Sequence, residues 1–231
     1  MDHTVANWRF ACLITLGAFL GLSVAAFASG LLPGDLQVRE GLMEARTSLA
    51  YEIAQIVNQG GTWRVILPAS LLVLFLSRYA RRRWWLWGAI LIASPLLEQA
   101  VKFLVGRPRP SGFSLGFPSG HTTGATTFAV LLIYIVSRES PTPARRHAIQ
   151  VLAVAMMILV GWARIVLHAH WPTDVLGGFL LGTGCAAAGA WWDSARPDTA
   201  TPGSAPRPPP ARASGCRAPR RPAGRRRGRR G

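Results

Sequence analysis

An all-α integral membrane bundle of about six transmembrane helices is the fold this sequence predicts, and three observations predict it. Half of the 231 residues are apolar. They fall in long blocks with few charges, several reaching the ~20 residues a helix needs to cross the ~30 Å hydrocarbon layer. Arginine-rich linkers separate alternate blocks, as the positive-inside rule expects of cytoplasmic loops.

The first block covers residues 8–28. Ala26-Phe27-Ala28 resembles a signal-peptidase site, but the block is long for a signal segment and only Arg9 charges its start. A retained first helix is therefore expected, with its C-terminal end outside. Residues 36–57 set Leu36, Leu42, Leu49, Ile53 and Ile56 among Arg39, Glu40, Glu44, Arg46 and Glu52. That rough helical period fits either an amphipathic segment at the interface or a helix packed on the bundle. Gly60-Gly61 then breaks the pattern before a second span over 62–77, in which Pro68 is a kink site. Further spans are expected over 84–105, 121–136, 148–166 and 175–192.

The linkers 78–83 and 138–147 and the C-terminal tail are rich in arginine, which places all three in the cytoplasm together with both termini. The linkers between the third and fourth and between the fifth and sixth blocks then lie outside, on the same face. From residue 195 the chain is Pro, Arg, Ala and Gly with little to bury, so the sequence divides into a membrane domain over 1–194 and a disordered cytoplasmic tail over 195–231. The tail holds eleven arginines against one acid, Asp198, and so supplies +10 of the net charge of +16. The body is accordingly no nucleic-acid-binding domain. The tail reads either as a solvated topology anchor or as a segment drawn to anionic lipid head groups. Cys12, Cys185 and Cys216 lack the paired spacing of a zinc site or disulfide framework and read as small residues of no chemical role.

Ionisable groups within or beside spanning helices are costly and are functional candidates by default. Here they gather on the expected outer side. Lys102 is followed by Gly106-Arg107-Pro108-Arg109-Pro110, where two prolines stop the helix and leave cations against the positive-inside trend. The fourth block opens with Phe117-Pro118-Ser119-Gly120-His121, a helix start in which Ser119 is a candidate cap and Gly120 leaves amides accessible. An anion held by Lys102, Arg107 or Arg109 could be shared with those amides, beside His121. The fifth block ends at Ala163-Arg164, and His168-Ala169-His170-Trp171-Pro172-Thr173-Asp174 leads into the sixth. The spacing of four from His170 to Asp174 returns an acid to an imidazole, which keeps one ring nitrogen protonated and orients the other. His168 has no such acid and reads as a packing or rim group. Duller readings exist for single pieces: Glu98 and Lys102 pair along a helix, and Arg164 snorkels.

In this order the residues resemble the tripartite signature of the type-2 phosphatidic acid phosphatase and haloperoxidase superfamily. Its lysine, six residues and Arg-Pro correspond to Lys102 through Arg109-Pro110, and its Pro-Ser-Gly-His to Pro118 through His121. Its Ser-Arg, five residues, His, three residues and Asp correspond to Ala163-Arg164, His170 and Asp174, with only the leading serine changed. The resemblance implies that Lys102, Arg109, Ser119, Gly120 and Arg164 hold phosphoryl oxygens. It further implies that His170 attacks phosphorus, that Asp174 orients it and that His121 protonates the leaving oxygen.

A membrane phosphatase is thus expected, acting without metal or cofactor on a lipid phosphomonoester or diphosphate such as phosphatidic acid, phosphatidylglycerol phosphate or a polyprenyl diphosphate. Its partners would be that substrate and membrane lipids, and its location the inner (plasma) membrane with the site on the extracytoplasmic side. Three alternatives compete. Vanadate-dependent haloperoxidase would show halide oxidation, a non-catalytic lipid-binding protein of the same fold would release no phosphate, and a metal site built from His168, His170 and Asp174 would be sensitive to chelators.

Overall fold

The structure, a computed structural model, describes residues 3–112, 115–139 and 142–196. Beyond Arg196, the tail expected over 195–231 lies outside the described residues. Among those residues the regular elements are helical: α1 (His3–Ser29), α2 (Asp35–Glu44), α3 (Ser48–Asn58), a 3-10 turn (Gln59–Gly61), α4 (Trp63–Leu76), α5 (Arg78–Arg82), α6 (Trp84–Val105), α7 (Gly120–Arg138), α8 (Pro143–Val166) and α9 (Pro172–Ser194). Five of these are long and apolar enough to cross a membrane, and the number is six if α3 and α4 form one bent span. The chain is a multi-pass membrane protein.

The second span departs from the expectation. Helix α4 has 14 residues, a rise of roughly 21 Å, which is short of the ~30 Å hydrocarbon layer. It continues instead from α3 through the Gly60-Gly61 turn, with a bend of 53° between the two parts. Gly61 is required there by close approach, because a Cβ on it would lie 2.7 Å from the Cβ of His121. The stretch 36–57 likewise becomes two helices. Helix α3 is packed on the bundle, burying Ala54 against Ala163 and Val166 of α8, while Leu49 and Ile56 on its other face are exposed.

Large apolar side chains point outward on α1, α4, α6 and α8, among them Phe10, Phe27, Phe75, Phe103, Leu104 and Leu152. This inversion of the soluble pattern suits a hydrocarbon surround, in which helices gain little by hiding apolar surface and associate through close packing. The interior is accordingly built from small and hydroxylic residues. Helix α9 packs on α1 and α7, and Gly178 and Gly182 bring its backbone onto α7. A Cβ on Gly178 would sit 2.8 Å from the Ser119 carbonyl oxygen, and one on Gly182 2.7 Å from that of Thr123. Facing them, Thr123 and Thr127 donate their hydroxyls to the Ser119 and Thr123 carbonyls at 3.0 and 2.9 Å, so these two side chains enter the interior with their hydroxyl hydrogens paired.

The end of the bundle formed by α5, the start of α6 and the ends of α7 and α9 is closed by one buried acid. Asp193 accepts hydrogen bonds from the hydroxyls of Tyr134, at 2.7 Å, and Tyr79, and pairs with the Arg83 Nε at 3.3 Å. Trp8 and Trp87 pack on the Tyr134 ring, with centroids 5.4 and 5.6 Å away.

Two outcomes are expected. Replacing Gly182 by Leu forces α7 and α9 apart at a cost of about 1–3 kcal/mol, read as a lowered thermal midpoint in detergent. Asp193→Ala leaves two hydroxyls and a guanidinium without their shared acceptor, and a loss of about 1–3 kcal/mol should appear in the same assay.

Candidate active site

The histidine-bearing linker is shaped by the end of α8. His168 adopts a left-handed backbone conformation, φ 56°, so that its amide reaches the Ile165 carbonyl at 3.0 Å and that of Ala169 the Arg164 carbonyl at 3.0 Å. This is a Schellman turn with histidine where glycine is usual. The His170 amide adds a bond of 3.2 Å to the same Arg164 carbonyl. The His168 ring is half-buried, and its Nδ1 lies 2.8 Å from an Arg39 Nη2 on α2.

Helix α9 then starts at Pro172, and Asp174 in its first turn accepts the Trp171 amide at 2.9 Å. The same carboxylate oxygen faces the His170 Nδ1 at 3.4 Å, the geometry expected from their spacing. Both side chains are buried. Burial above all pushes the His170 imidazole down from 6.5 to about 4, against the raising effect of Asp174, with Arg164 and Arg109 adding to the fall. His170 is thus a neutral imidazole at ordinary pH. With Nδ1–H turned to the carboxylate, Nε2 carries the free lone pair.

Helix α7 begins beside it. The Ser119 amide donates to the Asp174 carbonyl at 2.9 Å, which ties the starts of α7 and α9 together, and the Phe117–Pro118 peptide before it is cis. The expectation that the Ser119 side chain caps α7 is not met. Its hydroxyl accepts from Thr122 Oγ1 at 3.0 Å instead, and no side-chain cap bond is formed. Gly120 is tight against α6, since a Cβ there would lie 3.1 Å from a Glu98 carboxylate oxygen. His121 is within electrostatic reach of Arg164, His170, Arg109 and Lys102, so the two histidines and three of the predicted cations share one end of the bundle.

The cations differ in their company. Lys102 is ion-paired with Glu98 one turn earlier, the duller reading of that pair. Arg164 is buried and donates through Nη1 to Asn58 Oδ1 at 2.5 Å. Arg109 donates its Nε to the Leu115 carbonyl at 3.0 Å. Among the described residues neither Arg109 nor Arg164 pairs with a carboxylate. Arg107, which the sequence offered as an anion contact, has a different place. It is buried and bridges Asp35 and Asp174, the latter at 2.7 Å. Its two terminal nitrogens are taken up by Asp35, Asp174 and the Thr173 hydroxyl, while its buried Nε has no partner.

Next to His121 a cavity of about 610 Å³ opens between α4, α6 and α7, bordered by Gln59, Thr62, Arg64, Glu98 and Gln99. Three residues of this region escaped the sequence reading. Asn58 and Asp35 meet their partners across more than seventy positions of chain, for which no short-range pattern exists. Gly61 was read as a break and not as a contact. Among the described residues no group of three or more His, Cys, Asp or Glu side chains is placed to hold a metal ion, so His168, His170 and Asp174 do not form one.

Comparison with known proteins finds lipid phosphatases. Phosphatidylglycerophosphatase B of Bacillus subtilis (strain 168) is 25% identical over 173 residues, 71% of this chain and 85% of that protein. An undecaprenyl-diphosphatase of Sulfolobus acidocaldarius is 25% identical over 162 residues, 57% of this chain and 72% of its own. A lipid A 1-phosphatase of Porphyromonas gingivalis is 32% identical over 113 residues, 46% of this chain but 24% of that longer protein. The crystal structure of a transmembrane PAP2 type phosphatidylglycerolphosphate phosphatase from Bacillus subtilis shares the fold, with a TM-score of 0.73 at 23% identity over 82% of this chain and 99% of that one. The family model described as the PAP2 superfamily matches residues 111–198, a stretch that holds Ser119, Gly120, His121, Arg164, His170 and Asp174, while Lys102 and Arg109 precede it. Over that stretch, and in its helical architecture, the chain is similar to the PAP2 superfamily.

Proposed function

We propose that the chain is a membrane phosphatase that hydrolyses a lipid phosphomonoester or diphosphate through a phosphohistidine intermediate. The observation that carries the reading is a neutral, carboxylate-backed His170 placed with His121 and two arginines that have no carboxylate of their own. Arg164 is buried and Arg109 half-buried; cations withdrawn from water without counter-ions call for an anion, and a phosphoryl group is one. The relatives named above act on lipid phosphates and diphosphates, which supports the substrate class.

In the proposed reaction Arg109, Arg164 and Lys102 hold the phosphoryl oxygens together with the Ser119 hydroxyl and the Gly120 amide. With His121 protonated beforehand, the His170 Nε2 lone pair forms a bond to phosphorus as the bond to the lipid oxygen breaks, and His121 gives that proton to the oxygen and becomes neutral. Water then attacks the phosphohistidine and returns a proton to His121. The N–P bond breaks, and inorganic phosphate leaves with His170 neutral again. Asp174 stabilises the charge that grows on the imidazole during attack. Each proton and electron pair is accounted for by these side chains and water, so no metal is invoked.

The orientation follows from the arginines. Arg78, Arg81, Arg82 and Arg83 lie at the Asp193 end of the bundle, away from the histidines, and the positive-inside rule assigns that end to the cytoplasm. The site is then extracytoplasmic, both termini are inside, and the inner (plasma) membrane is the proposed location. Residues 1–194 form the phosphatase domain and 195–231 its basic tail.

Phosphate release from phosphatidic acid, phosphatidylglycerol phosphate and a polyprenyl diphosphate in detergent micelles tests the reading. Turnover should persist in chelator, vanish in His170→Ala and fall by about 10²–10⁴ in His121→Ala; full turnover by His170→Ala would remove the assigned nucleophile. Stability has a pH signature too. Because His170 binds its proton less readily folded than unfolded, the unfolded chain holds more proton between about 4 and 6.5. Stability is therefore lost as pH falls through that window, with no further loss from this group below it. His170→Gln should show a smaller drop in thermal midpoint between neutral pH and the acid end of the window than the unaltered protein.

A further inference from the structure

We propose that Asp35 and Arg107 are positioning residues for His170, forming with Asp174 a buried chain of charge that begins on α2 and ends at the imidazole. The inference rests on the assignment of His170 as nucleophile. Asp35 is wholly buried at the start of α2. It accepts the Leu32 amide at 3.2 Å, the Thr173 amide at 2.9 Å and the Thr173 hydroxyl at 2.8 Å, and is ion-paired with Arg107. Arg107, 3% exposed, sends its other terminal nitrogen to Asp174 Oδ1 and to Thr173 Oγ1, each at 2.7 Å. This leaves Asp174 Oδ2 for the Trp171 amide and His170 Nδ1. The guanidinium also lies over the Trp171 ring, 5.9 Å from its centroid, and a Cβ on Gly116 would come within 2.9 Å of Asp174 Oδ2. The carboxylate is therefore held through both of its oxygens.

Two acids and one guanidinium leave a net charge of −1 behind a neutral imidazole. That surplus matters when His170 gains positive charge on bonding to phosphorus. Without Asp35, Arg107 would neutralise Asp174 and the developing imidazolium would meet no net countercharge. Without Arg107, two carboxylates would face each other unbalanced in a site closed to water, and Asp174 would lose the fork that turns it to His170. Burying this triad is expensive unless geometry and hydrogen bonding are good, and here Thr173 adds two donors at Asp35 and the Trp171 amide adds one at Asp174. Since a fork of fixed shape is needed to hold two carboxylates at once, lysine cannot replace this arginine fully.

The test uses the full chain in detergent, with phosphate release from phosphatidic acid in mixed micelles and thermal unfolding of each variant. Asp35→Asn should lower kcat by about 10- to 100-fold, the scale on which outer partners of a working imidazole act, with KM unchanged, because no substrate contact is lost. Asp35→Glu should recover part of that kcat. Joining Asp35→Asn to Arg107→Gln should be no worse than Arg107→Gln alone, since Asp35 acts through Arg107. If Asp35→Asn does not yield folded protein, Arg107→Lys carries the test with the same loss in kcat at constant KM. Normal kcat in a folded Asp35→Asn or Arg107→Lys variant, a loss confined to KM, or losses that multiply in the double variant would each overturn the proposal. His170→Ala, run beside them, separates the two readings. Turnover by that variant sinks the nucleophile assignment and this inference with it, whereas an inactive His170→Ala beside a fully active Asp35→Asn sinks the inference alone.

Discussion

Charge in an apolar surround must be matched, and this bundle is arranged around the places where it is and the place where it is not. At one end Asp193 is shared by Arg83 and two tyrosines. At the other, Arg107 joins two acids and Lys102 has Glu98. Between these ends the threonines of α7 return their hydroxyls to their own helix. Against that background Arg109 and Arg164 stand out, since their hydrogen bonds go to a carbonyl and an amide oxygen. A neutral acceptor satisfies a guanidinium's geometry without cancelling its charge. What remains is a local excess of positive potential beside two imidazoles, in a setting where potential is poorly screened.

The helix packing serves that arrangement. Helices α7 and α9 begin within two of the three signature segments, and their starts are joined by the Ser119 to Asp174 backbone bond. Glycines let the two helices run close for the next turns, and α1 and α6 fill the remaining sides. The 3-10 turn between α3 and α4 passes over His121 at van der Waals range, and the residue before it, Asn58, holds Arg164. The bent α3–α4 unit is thus both a membrane element and a wall of the site.

Much of this was legible in the sequence because it is local. Apolar blocks gave α1, α6, α7, α8 and α9 to within a few residues, and the interval from His170 to Asp174 gave their mutual orientation. The same locality explains the failures. The second span, expected over 62–77, is short by itself and gains length only with α3 across the Gly60-Gly61 bend, because hydropathy counts residues and is blind to direction. Ser119 had the right chemistry and position for a cap, yet Thr122 took its hydroxyl. Arg107 and Arg109 are alike in sequence, both before proline on one short linker, and only the distant Asp35 separates a structural arginine from one free of acids. A lone aspartate after Pro33-Gly34 carries no mark of a partner 72 positions away.

The turn that closes α8 bears on the spacing of the signature itself. Arg164 offers one carbonyl, and the amides of both Ala169 and His170 come back to it, so arginine and histidine belong to a single hydrogen-bonded ring and not to two elements joined by slack chain. Adding or deleting one residue between them would open that ring and rotate His170 off Asp174. The fixed interval separating these two residues is therefore a dimension of a closed turn, set by backbone geometry before any substrate is considered.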